Sequence, residues 1–427
     1  MKNYVDVNEK LPLMEMLPLS LQHLFAMFGA TILVPMLLHA NPATALLMNG
    51  FGTLLYIFIT KGKIPAYLGS SFAFIAPATI VITSYGGFGH AQAGFIFFGL
   101  FFVIVSFIIK AVGIKWIDVV MPPAVMGSVV AVIGLELAPT AAKSAGLLGD
   151  VADGKVLIVS LVTLAVGVIG TVVFRKFMKI IPILIAVVVG YVLSLSLGMV
   201  KTDLIVNAPW FKLPEFSAPV FDIKAILIIA PACLVVLAEH IGHLIVTGNI
   251  TDKDLIKDPG LDRSLLADGI TNIVSGFAGS TPNTTYGENI GVMAITRVYS
   301  VYVIGGAAVI AMIFSCIGKV AAAIQAIPDP VMGGVTVLLY GVIASSGIRM
   351  LVEGRVDFSK NYNIVLGAVT FVLGVSGATI KLGSNGVELK GMALAAVTGV
   401  ILSIIFYVLG KFGLMNEPYE PTKGIEK

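Results

Sequence analysis

The sequence contains few charged residues and very few cysteines. Only 12% of its 427 residues are Asp, Glu, Lys or Arg, whereas a typical soluble protein has about 25%. With 57% hydrophobic residues, a soluble fold could not cover its apolar surface with so few charges. The two cysteines, Cys233 and Cys316, both lie inside apolar runs. This excludes a secreted disulfide scaffold.

Other absences narrow the function further. The formal net charge is only +3 and its carriers are scattered, which excludes a typical nucleic-acid-binding surface. Residues 1–17 have no apolar core, so we expect no cleavable signal peptide before the first apolar run. No Ser-His-Asp set, metal cluster or phosphate-binding loop is visible, and residues 239–243 read EHIGH rather than HExxH. We therefore predict no cofactor, no metal and no enzymatic activity.

The sequence is rich in long apolar runs, and its mean hydropathy is +0.99. A spanning helix needs about 20 mostly apolar residues, and fourteen such segments fit between residues 18 and 411. Segments 9 and 10, residues 264–278 and 279–296, are short and poorly separated. Hydropathy alone would therefore also allow a total of thirteen segments. We predict an all-α polytopic membrane protein of the cell (inner or plasma) membrane.

The basic residues predict the orientation of these segments. With a cytoplasmic N-terminus and fourteen segments, 19 of the 27 Lys and Arg residues fall on the cytoplasmic side. This bias matches the rule that cytoplasmic loops are enriched in basic residues. We therefore expect both termini in the cytoplasm.

The two halves of the chain resemble each other. Residues 122–127 (PPAVMG) are similar to 328–333 (PDPVMG), and three further matches, one before this pair and two after it, keep the chain order at offsets of 207 to 210 residues. Each half would then contain seven segments. Because seven is odd, the second half would enter the membrane upside down. Such a 7+7 inverted repeat is typical of secondary transporters.

Segments 3 and 10, residues 64–84 and 279–296, are both rich in Gly, Pro, Ser and Thr. In each, a stretch that favours extended backbone (70–74 and 283–286) precedes a better helix former. Non-helical backbone at membrane depth is tolerated only inside protein or along a cavity. We predict a short strand and a half helix in each segment, with the substrate site between them. The alternative is a pair of proline-kinked structural helices.

Ionisable residues inside apolar segments are costly and often functional. Glu239 and His243 in segment 8 are four residues apart and share a helix face, and Glu288 lies in segment 10. Two carboxylates and a His beside one cavity could bind N–H donors and carry a proton. The alternative is a satisfied structural network, which we favour for His240. Glu136, near the outer end of segment 5, indicates a structural or gating role.

The segment at residues 288–297 (ENIGVMAITR) resembles the signature of the nucleobase–ascorbate transporter family. That signature has an acidic residue or Gln, then Asn, a spaced Gly, Thr and usually Arg. The Gln22-His23 pair resembles the family motif in segment 1. The resemblance extends from about residue 11 to 411 of this sequence.

The resemblance implies a proton-coupled uracil symporter with an elevator-like alternating-access mechanism, acting as a homodimer in the bilayer. By position, Glu239 and His243 would serve proton coupling, and the amides of Phe72 and Gly287 would bind carbonyl oxygens of uracil. The implied substrate-binding residues are Glu239, Glu288, Phe72, Gly287, Ala30, Tyr286 and Tyr340.

The resemblance also implies a division of the chain. Residues 11–110 (segments 1–4) and 223–320 (segments 8–11) would form a core domain. Residues 111–222 (segments 5–7) and 321–412 (segments 12–14) would form a gate domain, and 413–427 a cytoplasmic tail.

Three alternatives stay open at this point. Another nucleobase, such as xanthine, could be the substrate, although Glu rather than Gln at position 288 favours uracil by resemblance. An anion exchanger of related fold would need a cation-rich pocket, but segments 3 and 10 contain no Lys or Arg before Arg297. An intramembrane enzyme lacks support because no nucleophile–base pair is visible.

Overall fold

The computed structural model describes residues 4–149, 153–175, 178–179, 181–382 and 387–419, apart from the side chains of Ala30, Leu382 and Val387. Helices form most of this part of the chain. They are α1 (Leu13–Leu37), α2 (Pro42–Ile59), α3 (Ile75–Tyr85), α4 (Phe88–Val112), α5 (Lys115–Val120), α6 (Pro123–Ser144), α7 (Gly154–Val173), α8 (Pro182–Ser196), α9 (Thr202–Val206), α10 (Ile223–Thr251), α11 (Leu261–Ala278), α12 (Gly287–Thr296), α13 (Val301–Ser315), α14 (Gly318–Gln325), α15 (Asp329–Glu353), α16 (Asn361–Val375) and α17 (Gly391–Lys411).

Local sequence signals begin several of these helices. The Asn41 side chain accepts a hydrogen bond from the Ala43 N–H at 2.9 Å, and Pro42 occupies the first position of α2. Asp222 caps α10 in the same way, through the Lys224 N–H at 2.8 Å. A polar cap satisfies one of the N–H groups that a helix start leaves unpaired.

The helices have the length and surface of membrane-spanning segments. Within the described ranges, eight helices are long and apolar enough to cross a membrane, and four shorter apolar helices accompany them. Large apolar side chains such as Phe58 and Val172 are exposed on outer helix faces, at 79% and 82%. Helices that are apolar on all sides belong in lipid or in a protein core. The chain is therefore a multi-pass membrane protein.

Long-range helix pairs hold the molecule together. Helix α6 packs along α15, α4 along α11, and α2 along α13. Small residues allow close approach: a methyl group added at Gly347 of α15 would collide with the backbone of Ala131 in α6. Small residues at helix contacts are typical of packing within membranes.

Four short strands interrupt the helical structure. Strand β1 (Leu68–Ser70) pairs antiparallel with β2 (Asn283–Thr285), and β3 (Thr379–Leu382) pairs antiparallel with β4 (Val387–Lys390). The prediction of extended backbone over 70–74 was wrong in its bounds, because Phe72–Phe74 forms a turn of 3₁₀ helix. Pairing with β2 fixes the position of the strand, and that partner is not visible in local sequence preference.

Glu136 has a structural contact near the start of the last long helix. Its Oε2 accepts a hydrogen bond from the Met392 N–H at 2.8 Å, so the carboxylate satisfies an unpaired N–H at the start of α17. Gly391 beside it has φ of +55°, and a Cβ there would collide with the same carboxylate. Glycine is therefore required at this position.

Candidate functional site

The candidate site is built around the antiparallel pair of strands β1 and β2. Leu68 lies opposite Thr285 and Ser70 opposite Asn283. The pairing extends by one hydrogen bond at each end, from Ser71 N–H to the Pro282 carbonyl at 2.8 Å and from Tyr286 N–H to the Tyr67 carbonyl at 3.0 Å. The pairing therefore satisfies part of the buried backbone of the two strands, and side chains such as Thr53, which accepts from the Leu68 N–H at 2.9 Å, satisfy other groups, as the interior of a membrane requires.

Each strand leads into the N-terminal end of a helical element. The 3₁₀ turn Phe72–Phe74 and then α3 follow β1, whereas α12 follows β2 at Gly287. The first N–H groups of a helix have no partner inside it, and its N-terminus carries a partial positive charge. Two sets of N–H donors therefore flank the strand pair, and these can bind carbonyl or anionic oxygens.

Two carboxylates lie beside these helix starts. Glu288 is in the first turn of α12 and Glu239 is on α10, and they are close enough for their charges to interact. The Glu288 side chain is exposed although the next residue, Asn289, is buried, and Glu239 is half-buried. We conclude that the carboxylates face a solvent-accessible crevice.

His243 joins α10 to the interrupted segment that contains α12. Its Nδ1 lies 3.0 Å from Thr285 Oγ1 in β2. Its Nε2 approaches Gly287 so closely that a Cβ added there would be only 3.1 Å away. The His243 ring therefore lies on the Glu239 face of α10 and contacts the start of the half helix that carries Glu288.

Three aromatic residues predicted for the site have different positions. The rings of Phe72 and Tyr340 meet edge to face with centroids 6.4 Å apart, and Phe72 packs against three separate buried clusters. The buried Tyr340 hydroxyl has no hydrogen-bond partner among the described residues. The Tyr286 hydroxyl is buried and donates to the Ser70 carbonyl at 2.8 Å, so this residue links α12 to β1. Ala30 lies in α1, but its side chain is outside the described part of the structure.

A polar network that the sequence analysis missed lies behind the strands. His240 Nδ1 is 2.9 Å from Asp268 Oδ2, and His240 Nε2 is 2.8 Å from Ser264 Oγ. All three residues are fully buried. Tyr56 extends the network through its hydroxyl, 2.6 Å from Ser264 Oγ. His240 is thus part of a satisfied structural network, whereas Asp268 was not considered.

The same network reaches β2 through one asparagine. The Asn272 amide donates to Asp268 Oδ1 at 2.9 Å and to the Asn283 carbonyl at 3.0 Å, and it accepts from the Asn283 N–H at 2.6 Å. The side chain therefore binds both backbone groups of one strand residue. Asp268 fixes its orientation by accepting from the amide nitrogen. The position of β2 depends on this chain of hydrogen bonds.

Helix α1 supports the half helix from the other side. His23 is buried, and its carbonyl and Nδ1 both lie 3.1 Å from the Asn289 side-chain nitrogen. Asn289 follows Glu288 directly. His23 therefore holds α12 in place.

A cavity of about 500 Å³ lies between α10, α6 and the end of α15, and neither Glu239 nor Glu288 lines it. Ala238, Gly242, Val246 and Asn249 line it along one face of α10. These residues span about 16 Å of helix. The cavity therefore follows the second half of α10, from Ala238 to Asn249.

Gly69→Ala should destabilise the protein. A Cβ at this position would overlap the Tyr286 ring, so the ring must leave the Ser70 carbonyl or β1 must move. Overpacking of this kind costs about 1–3 kcal/mol. Thermal unfolding of the purified protein in detergent measures the effect.

Gly291→Ala is the matched control because the space around Gly291 in α12 is open. Alanine favours a helix over glycine by about 1 kcal/mol. We therefore expect the midpoint temperature of thermal unfolding to fall for Gly69→Ala and to stay the same or rise for Gly291→Ala. Equal midpoints for the two variants would contradict the packing described here.

Comparison with known proteins identifies relatives over nearly the whole chain. A family model described as "Permease family" matches residues 14–383. The chain is 60% identical over 408 residues to the uracil permease of Escherichia coli (strain K12), covering 95% of this chain and 94% of that one. It is 58% identical over 419 residues to the uracil permease of Paenibacillus larvae subsp. larvae, covering 97% and 99%.

A solved structure shares the fold at much lower identity. The structure of SLC26A9 aligns with a TM-score of 0.69 at 13% identity and covers 93% of this chain. This chain spans 65% of the length of that longer protein. Similarity at this level shows the fold alone.

Proposed function

The chain belongs to the nucleobase–ascorbate transporter family of permeases, and on this premise we propose that it transports uracil across the membrane. As a member of a permease family it is a transporter rather than an enzyme. One observation supports the substrate most directly. Glu239 and Glu288 lie close together beside two helix starts that offer N–H donors.

The proposed site matches the hydrogen-bonding groups of uracil. Uracil offers two ring N–H donors, for which the Glu239 and Glu288 carboxylates are acceptors, and two carbonyl oxygens, for which the N–H groups of Phe72 and Gly287 are donors. The Phe72 and Tyr340 rings supply apolar contact, and the unpaired Tyr340 hydroxyl can meet a further polar atom. A site built on paired polar groups rejects ligands that leave one of them unpaired.

Binding of radiolabelled uracil to the purified protein tests the proposed substrate. We expect saturable binding that unlabelled uracil displaces and that xanthine and bicarbonate do not. Saturable binding of radiolabelled xanthine together with no uracil binding would favour the purine alternative. Displacement by bicarbonate would favour the anion exchanger.

We propose that the chain forms fourteen segments in a 7+7 inverted repeat, with β1–α3 as segment 3 and β2–α12 as segment 10. The helix contacts support this layout. Exchanging the halves turns the contact of α4 with α11 (segments 4 and 9) into that of α13 with α2 (segments 11 and 2), and both occur. The contacts of α7 with α8 and of α16 with α17 are related in the same way.

We propose the same two domains that the family resemblance implies. Helices α1, α2, α4, α11 and α13 pack on one another, and α6, α7, α15, α16 and α17 form a second connected group. Elevator-like transport would move the first group, with the bound uracil, against the second. The cavity lies between α10, which belongs to the proposed core domain, and helices α6 and α15 of the proposed gate domain, so it follows the boundary of the two domains.

We propose proton symport with Glu239 and His243 as the coupling residues. Proteoliposomes that contain the protein should then accumulate uracil under an inward proton gradient, and this accumulation should collapse when a protonophore is added. His243 supports this role because it contacts both β2 and the start of α12. Accumulation driven by a sodium gradient alone, with the proton gradient abolished, would contradict proton coupling.

We also propose a homodimer through the gate domain and cytoplasmic termini. The second group exposes large apolar side chains, including Val172 of α7 and Ile401 of α17, which can face lipid or a second copy.

The distribution of Lys and Arg supports an orientation with both termini in the cytoplasm. Cysteine labelling from each side of sealed membranes distinguishes the two orientations.

A further inference from the structure

The described part of the N-terminal segment pairs with the linker between α12 and α13. We call residues 4–10 the N-terminal strap. The Val5 N–H donates to the Arg297 carbonyl at 2.9 Å, and the Val5 carbonyl accepts from the Tyr299 N–H at 3.0 Å. The strap therefore begins as a parallel bridge to Val298, immediately after the half helix that carries Glu288.

The pairing continues along the strap to the start of α13. The Val7 carbonyl accepts from the Val301 N–H at 2.9 Å, and the Glu9 carbonyl accepts from Ser300 Oγ at 2.7 Å. The Val7 side chain is fully buried, whereas its neighbour Asn8 is exposed. One apolar side chain and four hydrogen bonds thus hold the strap against the linker.

The strap also contacts the end of α10. Asp6 Oδ1 lies 2.9 Å from Lys253 Nζ, and both side chains are partly exposed. Lys253 follows α10, which ends at Thr251. The strap therefore joins the far ends of two helices whose other parts carry Glu239 and Glu288.

Helix α12 depends on such support because it is only ten residues long. Isolated helices of this length are marginal even in favourable sequences. Its first turn lies at the site, and its last residue is followed by Arg297, whose φ is +57°. Any shift of this far end moves Glu288, since only about 14 Å of helix separates them.

We propose that the N-terminal strap is a positioning element of the substrate site. By tying the 297–301 linker to the end of α10, it sets the position of Glu288 relative to Glu239. The uracil-binding measurements that test this inference rest on the proposed function. It adds Val7 and Asp6 as positioning residues far from the site.

Val7→Asp in the full chain tests the strap, with the adjacent Asn8→Asp as the matched control. A charge at position 7 cannot stay in the apolar slot without a large desolvation penalty, so the strap should detach. We expect faster hydrogen exchange at the Tyr299 and Val301 amides and at residues 287–289. We also expect a uracil Kd that rises about tenfold, which corresponds to about 1.4 kcal/mol. Asn8→Asp should change none of these quantities.

Charge reversal gives a second test that does not bury a new charge. Asp6→Lys and Lys253→Asp should each raise the uracil Kd by a factor of about two to five, the range for partly exposed ion pairs. The double variant should restore the wild-type value. Additive losses in the double variant would overturn the role of this pair.

Hydrogen exchange tests the role of the strap independently of the proposed substrate. If the wild-type protein does not bind uracil, the proposed function fails, whereas exchange at residues 287–289 still tests the strap. Faster exchange at Tyr299 and Val301 with unchanged exchange at 287–289 would overturn the inference. That result would mean that the strap holds the linker without positioning the half helix.

Discussion

Glu288→Gln should weaken uracil binding by about 10- to 150-fold, because a hydrogen bond to a charged group contributes about 1.5–3 kcal/mol. The carboxylate accepts hydrogen bonds at both oxygens, whereas the amide places a donor at one of them. A uracil N–H that meets this donor is left unpaired in a desolvated site. The side chain keeps its size, so we expect no change in the fold.

Isothermal titration of uracil into the purified variants measures this loss. Glu15→Gln is the matched control, because Glu15 also lies in the first turn of a helix, α1, and its side chain is exposed. We expect Glu15→Gln to keep the wild-type Kd. A Glu288→Gln variant with unchanged affinity would remove Glu288 from the site.

Asp268→Ala should have the largest effect on stability, a loss of about 3–5 kcal/mol of unfolding free energy, the range for breaking a buried ionic or hydrogen-bonded pair. The substitution removes the acceptor of His240 Nδ1 and one of the three acceptors of the Asn272 amide nitrogen, which keeps the Asp268 and Asn283 carbonyls. Neither group can reach water, since His240 and Asn272 are fully buried. Asn272 would then lose its orientation toward β2, so uracil binding should fall as well.

Thermal unfolding compares Asp268→Ala with Asp254→Ala. Asp254 also pairs with a cation, because Lys257 Nζ lies 3.0 Å away, but both side chains are exposed. The neighbouring Lys257 lowers the pKa of Asp254, yet water screens the pair. We expect a much lower midpoint for Asp268→Ala and almost no change for Asp254→Ala. Similar midpoints would contradict the importance of the buried network.

The site carboxylates could be predicted because charged residues stand out in apolar segments. Glu239 and Glu288 are conspicuous for this reason, and the structure places them near each other. Asp268 was overlooked because α11 begins with the polar residues Asp262 and Arg263. Asp268 lies within predicted segment 9, residues 264–278, but one more Asp so close to that polar start does not stand out. Its partner His240 is 28 residues away in the sequence, and this contact exists only in the folded protein.

The roles of individual aromatic residues were less predictable than their presence. Tyr286 was predicted as a substrate-binding residue, and the sequence did not indicate that its hydroxyl binds the Ser70 carbonyl across the strand pair. That contact depends on Gly69, which leaves room for the ring. The strand itself begins and ends earlier than sequence preference indicated, at Leu68–Ser70. Both outcomes depend on the partner segment, whose position local sequence does not encode.

The pairing of β1 with β2 also has a consequence for the biogenesis of the protein. The two strands are 215 residues apart in the chain, and ribosomes add about 5–20 residues per second. Roughly 10–40 s of synthesis therefore separates the first strand from its partner. During that time the backbone groups of β1 have no strand partner, which is costly in lipid. The newly made first half must keep this segment in contact with water, with other protein or with the insertion machinery until the second half arrives.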